Sequence, residues 1–252
     1  MDYSKDLKVA IVIPARLKSS RFPRKPLALI SGKPMIERVC NICKEALGSE
    51  NIYVATDSKE ISKVVVDSGY KAIITRSDCL TGTDRVAEAS KKINADIILN
   101  VQGDEPILDP EDIKKVIQAK LEKPNYIICG YTYLNNNEDA KDINIPKVVV
   151  NENCELIYIS RAEIPSSKNP TKKSSEIKKQ VSIYAFNAQD LKEFRQFGRK
   201  SYLEEQEDIE ILRFFELDKK VYMVKTAGNS IAVDIPEDIK KVEETLKSNG
   251  QH

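Results

Sequence analysis

The sequence predicts an α/β protein built on a doubly wound, mostly parallel sheet that carries an inserted, β-rich lobe. Short runs that are apolar on both faces, such as Val9-Ala10-Ile11-Val12-Ile13, alternate with amphipathic helical stretches. A parallel sheet covered by helices on both sides produces that alternation. After about residue 125 the rhythm changes, and strands follow one another across turns. The 252 residues suffice for one large core or two modest ones. The economical reading is a single domain over 1–252, with the insertion at about 126–190.

The elements follow in order. Val9 to Ile13 is a buried strand. Met35 to Leu47 is a helix with Ile36, Val39, Cys40, Cys43 and Leu47 on one stripe. Asn51 to Thr56, Lys71 to Thr75 and Asp96 to Val101 are strands, separated by helices at Lys59 to Ser68 and around Asp84 to Lys92. In the second half, Tyr126 to Tyr131, Lys147 to Val150, Leu156 to Ser160 and Val181 to Phe186 read as strands. The polar, Lys- and Ser-rich stretch from Ser166 to Lys179 reads as a loop. Two helices up to about Leu217, a strand from Val221 to Lys225 and a helix from Pro236 complete the chain.

An apolar fraction of 41% and a charged fraction of 31% describe a globular protein rather than a disordered one. The net charge of +1 leaves no footprint for bulk nucleic-acid or membrane binding. Any anionic ligand must be held by a local cluster of Lys and Arg. No stretch approaches the ~20 apolar residues of a membrane span. Met1 to Lys8 is polar and lacks the apolar core of a signal peptide. The five cysteines, an odd number, lie in or beside apolar segments. Cys40 and Cys43 form a lone C-x-x-C on a helix with no second pair, which favours buried thiols over zinc or redox work. A reduced, cytoplasmic protein is expected.

Three places carry chemistry. The loop after the first strand, Pro14 to Pro26, holds Arg16, Lys18, Arg21, Arg24 and Lys25 with no acid among them. Ligands of open α/β sheets bind outside the carboxyl ends of strands, and this loop leaves such an end. Concentrated Arg and Lys suit a triphosphate; a solvated basic loop is the plain alternative. There is no G-x-x-x-x-G-K pattern, which disfavours a P-loop enzyme. In Asn100-Val101-Gln102-Gly103-Asp104-Glu105-Pro106, Asp104 lies past a buried strand and after a glycine that permits close backbone approach. It suits magnesium beside a phosphate chain or, more plainly, a turn cap. Asp234, before Pro236, suits the same metal or the cap of the last helix.

The ordered motifs resemble the CMP-Kdo synthetases, the 3-deoxy-manno-octulosonate cytidylyltransferases, over nearly the whole chain. They run Ile13-Pro14-Ala15-Arg16 through Lys25-Pro26-Leu27, Gly32-Lys33-Pro34-Met35-Ile36, Ala55-Thr56-Asp57, Thr75-Arg76-Ser77-Asp78, Thr81-Gly82-Thr83-Asp84-Arg85 and Asn100 to Pro106. Lys147-Val148-Val149, Ser160-Arg161-Ala162, Ile183-Tyr184 and Val233-Asp234 follow. The resemblance implies a nucleotidyltransferase-like fold with a dimerisation lobe. It implies a reaction of CTP with a 3-deoxy-2-ulosonic acid sugar, giving CMP-sugar and pyrophosphate for lipopolysaccharide of a Gram-negative envelope. Arg16, Ser19, Arg21 and Lys25 would hold the triphosphate, and Pro14 and Ala15 would join them among the nucleotide-binding positions. Arg76, Gly82 and Thr83 would enclose cytidine. Asp104 and Asp234 would bind Mg2+, and Gln102 would lie between nucleotide and sugar. Arg16, Arg21, Lys25, Asp104 and Asp234 form the catalytic set. Arg161, Gln180, Tyr184, Glu210 and Ile211 join Gln102 as the sugar-binding positions, and a homodimer is implied.

Two departures fall in the sugar half. Gln180 stands where family members show His, and Ile211 where they show Gln; His252 is the chain's only histidine. Three readings therefore stay open: a Kdo enzyme, the same chemistry on a variant such as 8-amino-8-deoxy-Kdo, and a nucleotide-binding module without catalysis.

Overall fold

The computed structural model describes residues 7–19, 21–135, 138–166, 168, 177–228 and 230–250. Strand β1 (Val9–Ala15) opens the fold. A two-residue hairpin of β2 (Leu29–Ile30) and β3 (Lys33–Pro34) then leads into helix α1 (Met35–Leu47). Strand β4 (Ile52–Thr56), helix α2 (Lys59–Asp67), strand β5 (Lys71–Ile74), helix α3 (Gly82–Ser90) and strand β6 (Ile97–Val101) follow. Helix α4 (Pro110–Glu122) precedes strands β7 (Ile127–Tyr133), β8 (Lys147–Val150), β9 (Leu156–Ser160) and β10 (Lys178–Asn187). Helices α5 (Ala188–Gln196), α6 (Tyr202–Glu207) and α7 (Arg213–Glu216), strand β11 (Val221–Lys225) and helix α8 (Asp238–Ser248) end the chain.

The main sheet runs β11-β7-β10-β6-β1-β4-β5. Strand β1 pairs in parallel with both β4 and β6, so successive crossovers leave it in opposite directions. That reversal opens a crevice at the strands' carboxyl ends, where open α/β sheets bind ligands. Alternation along β1 explains its unbroken apolarity. Ile11 and Ile13 pack on one face with α1 and α4, while Val12 packs on the other with Val86 of α3 and Phe194 of α5. Cys40 and Cys43 are both fully buried, and burial pushes both thiols well above the usual range. Neutral thiols of this kind are poor metal ligands and nucleophiles.

Two expectations are corrected. Helix α4 stands where the sequence analysis placed no helix; Asp109 caps it by accepting from the Glu111 amide at 2.9 Å, with Pro110 in its first turn. The β-rich insertion at about 126–190 is also less separate than expected. Strands β7 and β10 belong to the main sheet, β10 lying antiparallel between β6 and β7. Among the described residues, only β8 and β9 branch from it, as a hairpin joined to the start of β10. Of the expected loop from Ser166 to Lys179, residues 167 and 169–176 lie outside the described residues, and Lys178 and Lys179 are already strand. Ser20, most of Met1 to Lys8, and His252 also lie outside the described residues.

Candidate active site

The crevice at the β1–β6 switch is a cavity of about 690 Å³, lined in part by Pro14, Ala15, Arg16, Ser19, Arg21 and Lys25 from the loop after β1. Its opposite walls come from Thr81-Gly82 at the start of α3 and from Glu204, Asp208 and Glu210. Gln102, Gly103 and Asp104 form part of the lining as they leave β6. Close packing makes this possible. A side chain on Gly103 would put its first carbon 3.0 Å from the Pro14 carbonyl oxygen, and one on Gly82 would meet Pro14 Cγ at 3.3 Å. Of the five loop cations, Arg16, Arg21 and Lys25 line the cavity. Arg24 turns away to pair with Glu60, from a left-handed backbone at φ 61°.

Asp104 and Asp234 meet here. Lys25 Nζ lies 2.7 Å from Asp104 Oδ2 and 3.7 Å from Asp234 Oδ1, and it also donates to the Val233 carbonyl at 2.8 Å. Arg21 pairs with Asp234 Oδ1 at 3.1 Å. The Val233 amide donates to the Asp104 carbonyl at 2.9 Å, which ties the segment before α8 to the turn after β6. The capping alternative for Asp234 falls away, because Asp238 Oδ2 accepts from the Asp234 and Ile235 amides at 3.0 and 3.1 Å. That leaves the Asp234 carboxylate facing the cavity with its two cations.

On the other wall, Glu210 accepts from the Thr83 amide at 2.9 Å and from Gln102 Nε2 at 3.2 Å. Burial raises the Glu210 carboxyl above its usual range against those hydrogen bonds. Arg161 lines the cavity, but its guanidinium donates to the carbonyls of Glu207, Ile143 and Asp208 at 2.6, 2.8 and 3.2 Å. It staples the hairpin end to the α6 segment.

Several sequence-predicted positions lie outside the cavity lining. Arg76 is exposed and paired with Asp78 two residues on, its Nε 2.9 Å from Oδ1. Thr83 is buried, its hydroxyl accepting from Asn100 Nδ2 at 3.1 Å. Gln180 donates to the Tyr184 hydroxyl at 2.9 Å, and Tyr184 is itself buried, with burial pushing its phenol well above the usual range. Ile211 is packed in the apolar core with Phe186 and Phe214. The Gln-to-Ile departure thus lies in the core, and the Gln180 departure one layer behind the cavity.

Other lining residues were missed. Arg85, one turn into α3, donates to Thr75 Oγ1 at 2.6 Å and pairs with Asp57 at 3.3 Å. It stands in the quoted Thr-Gly-Thr-Asp-Arg stretch, which was the available signal. Lys200 and Asp208, paired at 2.7 Å, come from a region that reads only as helix and turn. Half-buried Cys79 also lines the wall, its thiol pushed up to about 11 by burial.

Comparison with known proteins shows the family. The sequence profile of a family described as cytidylyltransferase matches residues 10–221. An 8-amino-3,8-dideoxy-manno-octulosonate cytidylyltransferase of Shewanella putrefaciens is 38% identical over 251 residues, covering 96% of this chain and 100% of its own. A 3-deoxy-manno-octulosonate cytidylyltransferase of Escherichia coli is 36% identical over 235 residues, covering 93% and 94%. Among solved structures, a CMP:2-keto-3-deoxy-manno-octonic acid synthetase complexed with CTP superposes with a TM-score of 0.89 at 35% identity, covering 96% and 99%. A cytidylyltransferase from Leptospira borgpetersenii, at 16% identity and a TM-score of 0.65 over 96% and 88%, shares the fold alone. Matched along most of its length by the profile and by relatives more than a third identical, the chain belongs to the cytidylyltransferase family.

Proposed function

We propose that the protein transfers CMP from CTP to the anomeric hydroxyl of Kdo, releasing pyrophosphate. The observation that carries this reading is the convergence of Asp104 and Asp234 on one ammonium nitrogen, beside the cationic loop at the sheet's switch point. Arg16, Arg21 and Lys25 would hold the triphosphate, and their charge would stabilise the departing pyrophosphate. The sugar hydroxyl would attack the α-phosphorus in line, with Gln102 and Glu210 orienting the sugar by hydrogen bonds. No covalent enzyme intermediate is required.

Magnesium is part of the proposal. Two carboxylates from segments far apart in the sequence that reach one positive charge form a hard-oxygen pair suited to Mg2+, which typically completes its shell with phosphate and water. Bound there, the ion would lower the hydroxyl's pKa and neutralise charge on the phosphorus oxygens.

A second reading is the same transfer to 8-amino-8-deoxy-Kdo. Relatives carrying both names match at similar identity, and Glu210 offers a carboxylate hydrogen-bonded to neutral donors that could take an ammonium group. Pyrophosphate release from CTP and Mg2+, measured with Kdo and 8-amino-8-deoxy-Kdo side by side, tests both. Turnover with Kdo alone supports the first reading and with the amino sugar alone the second; no turnover with either sinks both.

The homodimer belongs to the same proposal: Ile157 on β9 is 56% exposed, an apolar side chain on the hairpin that pairing would cover. Light scattering at monomer mass would overturn it. Among the described residues no helix is long and apolar enough to cross a membrane. The five free cysteines support the further reading of a reducing, cytoplasmic setting for envelope lipopolysaccharide synthesis.

A further inference from the structure

The two carboxylates that would take the metal are already neutralised by the protein's own cations. Lys25 reaches Asp104 at 2.7 Å and Asp234 at 3.7 Å, and Arg21 reaches Asp234 at 3.1 Å. Two negative charges are matched by two positive ones, so a divalent cation approaching this cluster meets no net attraction. Lys25 is also held in place by the Val233 carbonyl at 2.8 Å, and its side chain is only 15% exposed. Its ammonium stands between the carboxylates, where a shared divalent ion would have to stand.

We propose that Lys25 is a place-holder for the divalent cation, ceding its position when the triphosphate arrives. The proposal rests on the reading of Asp104 and Asp234 as the metal ligands. Lys25 and Arg21 line the same cavity as Arg16 and Ser19, so a polyanion entering there competes with the two carboxylates for both cations. Once the phosphates draw the ammonium and guanidinium away, the Asp104 and Asp234 carboxylates lose their counter-cations and face an incoming metal ion uncompensated. Nucleotide and metal would then bind with positive coupling, each strengthening the other by the same factor. The metal ion alone would bind weakly, which keeps the free protein from filling its carboxylates before CTP is present. Lysine suits this role because its ammonium is a mobile point charge on a flexible stem, able to swing between two anionic partners.

The test needs no turnover. Mn2+ replaces Mg2+, and the spin resonance of the free aqua ion reports binding to the nucleotide-free protein at low salt. We expect weak binding by the wild type and at least about tenfold tighter binding by Lys25→Met, since removing a unit charge about 4 Å from an ion shifts its affinity by at least that order. Lys25→Gln, which keeps a donor for the Val233 carbonyl, should behave likewise and covers the case in which the methionine variant misfolds. Adding Asp104→Asn to either variant should erase the gain. Binding of Mn2+ by both Lys25 variants no tighter than by the wild type overturns the proposal. Equilibrium dialysis of CTP against the wild type is run alongside. Failure to retain CTP sinks the underlying reading of the cavity, whereas retained CTP with unchanged Mn2+ affinity sinks the place-holder alone.

Discussion

Asp104 is the side chain on which the proposed chemistry depends most directly. Asp104→Asn keeps the shape and removes the charge, so the fold should survive while kcat/KM falls on the order of a hundredfold or more, the several kcal/mol of charge stabilisation a bound metal supplies. A near-normal rate of pyrophosphate release would refute the assignment. Its neighbour Glu105 gives a pH signature. Burial raises the Glu105 carboxyl to about 7, the charges of Asp104 and Asp234 adding to the effect and Lys179 opposing it. The folded state therefore binds a proton between about pH 4.5 and 7 that the unfolded chain has released, and this group's contribution to stability falls as pH rises through that window. Glu105→Gln should flatten that part of the urea-midpoint profile against pH; an unchanged slope would contradict it. Asp104 and the cationic loop were legible in the sequence because each follows a buried strand, and Asp234 because it stands between an apolar pair and Pro236. Arg76, Thr83 and Ile211 lie outside the cavity lining, which the sequence could not show because similarity of motif says nothing about which way a side chain turns. A nearby Asp78 captures the first, and the core absorbs the last.

At the scale of elements, one buried guanidinium joins two helix starts. Arg213 donates to Glu204 at 2.6 and 2.7 Å and to Asp84 at 3.0 and 3.1 Å, with all three side chains essentially inaccessible. Asp84 also accepts from the Thr81 amide at 3.1 Å, and Glu204 from the Ser201 amide at 3.0 Å, so both acids close capping boxes. The wall at Gly82 and the wall at Glu204 to Glu210 are thereby clamped together. Arg213→Met would leave Glu204 buried with a backbone amide but no cation, and Asp84 with the more distant Arg195 at 3.5 Å, at a cost of ~3–5 kcal/mol, readable as a lower urea midpoint. Arg213→Lys should recover only part of the loss, because an ammonium cannot present the paired fork; full recovery would mean that charge alone suffices. The β-α-β order of the first hundred residues was legible because parallel strands must be apolar on both faces. Helix α4 was hidden by its own start: Asp109-Pro110 reads equally as a turn and as a cap with proline in the first turn, and only packing of Ile113 and Val116 against the sheet decides. Strands β7 and β10 looked like a separate lobe because antiparallel neighbours follow a different rhythm, even when they extend the same sheet.

The whole molecule brings together three distant stretches, at residues 14–25, 79–85 and 200–210, with Asp104 and Asp234 around a single cavity. None of these stretches could grip a nucleotide alone, so the unfolded chain should have little affinity for it. A ligand that binds only the folded state stabilises it by about 2.7 kcal/mol at a hundredfold excess over its Kd. For a chain of this length each kcal/mol raises Tm by about 2–4 °C. CTP at that excess should therefore raise Tm by roughly 5–10 °C. Pyrophosphate at the same concentration should raise it less, because it reaches the cationic loop but not the Thr81-Gly82 wall. Equal shifts from the two ligands would mean that the cavity recognises phosphate alone and that the base is not gripped. A larger shift from CTP than from UTP would locate discrimination at groups that read the cytosine edge. Those groups would have to come from the Thr81-Gly82 wall or its neighbours, since the arginines and lysines of the loop respond to phosphate charge and carry no information about the base.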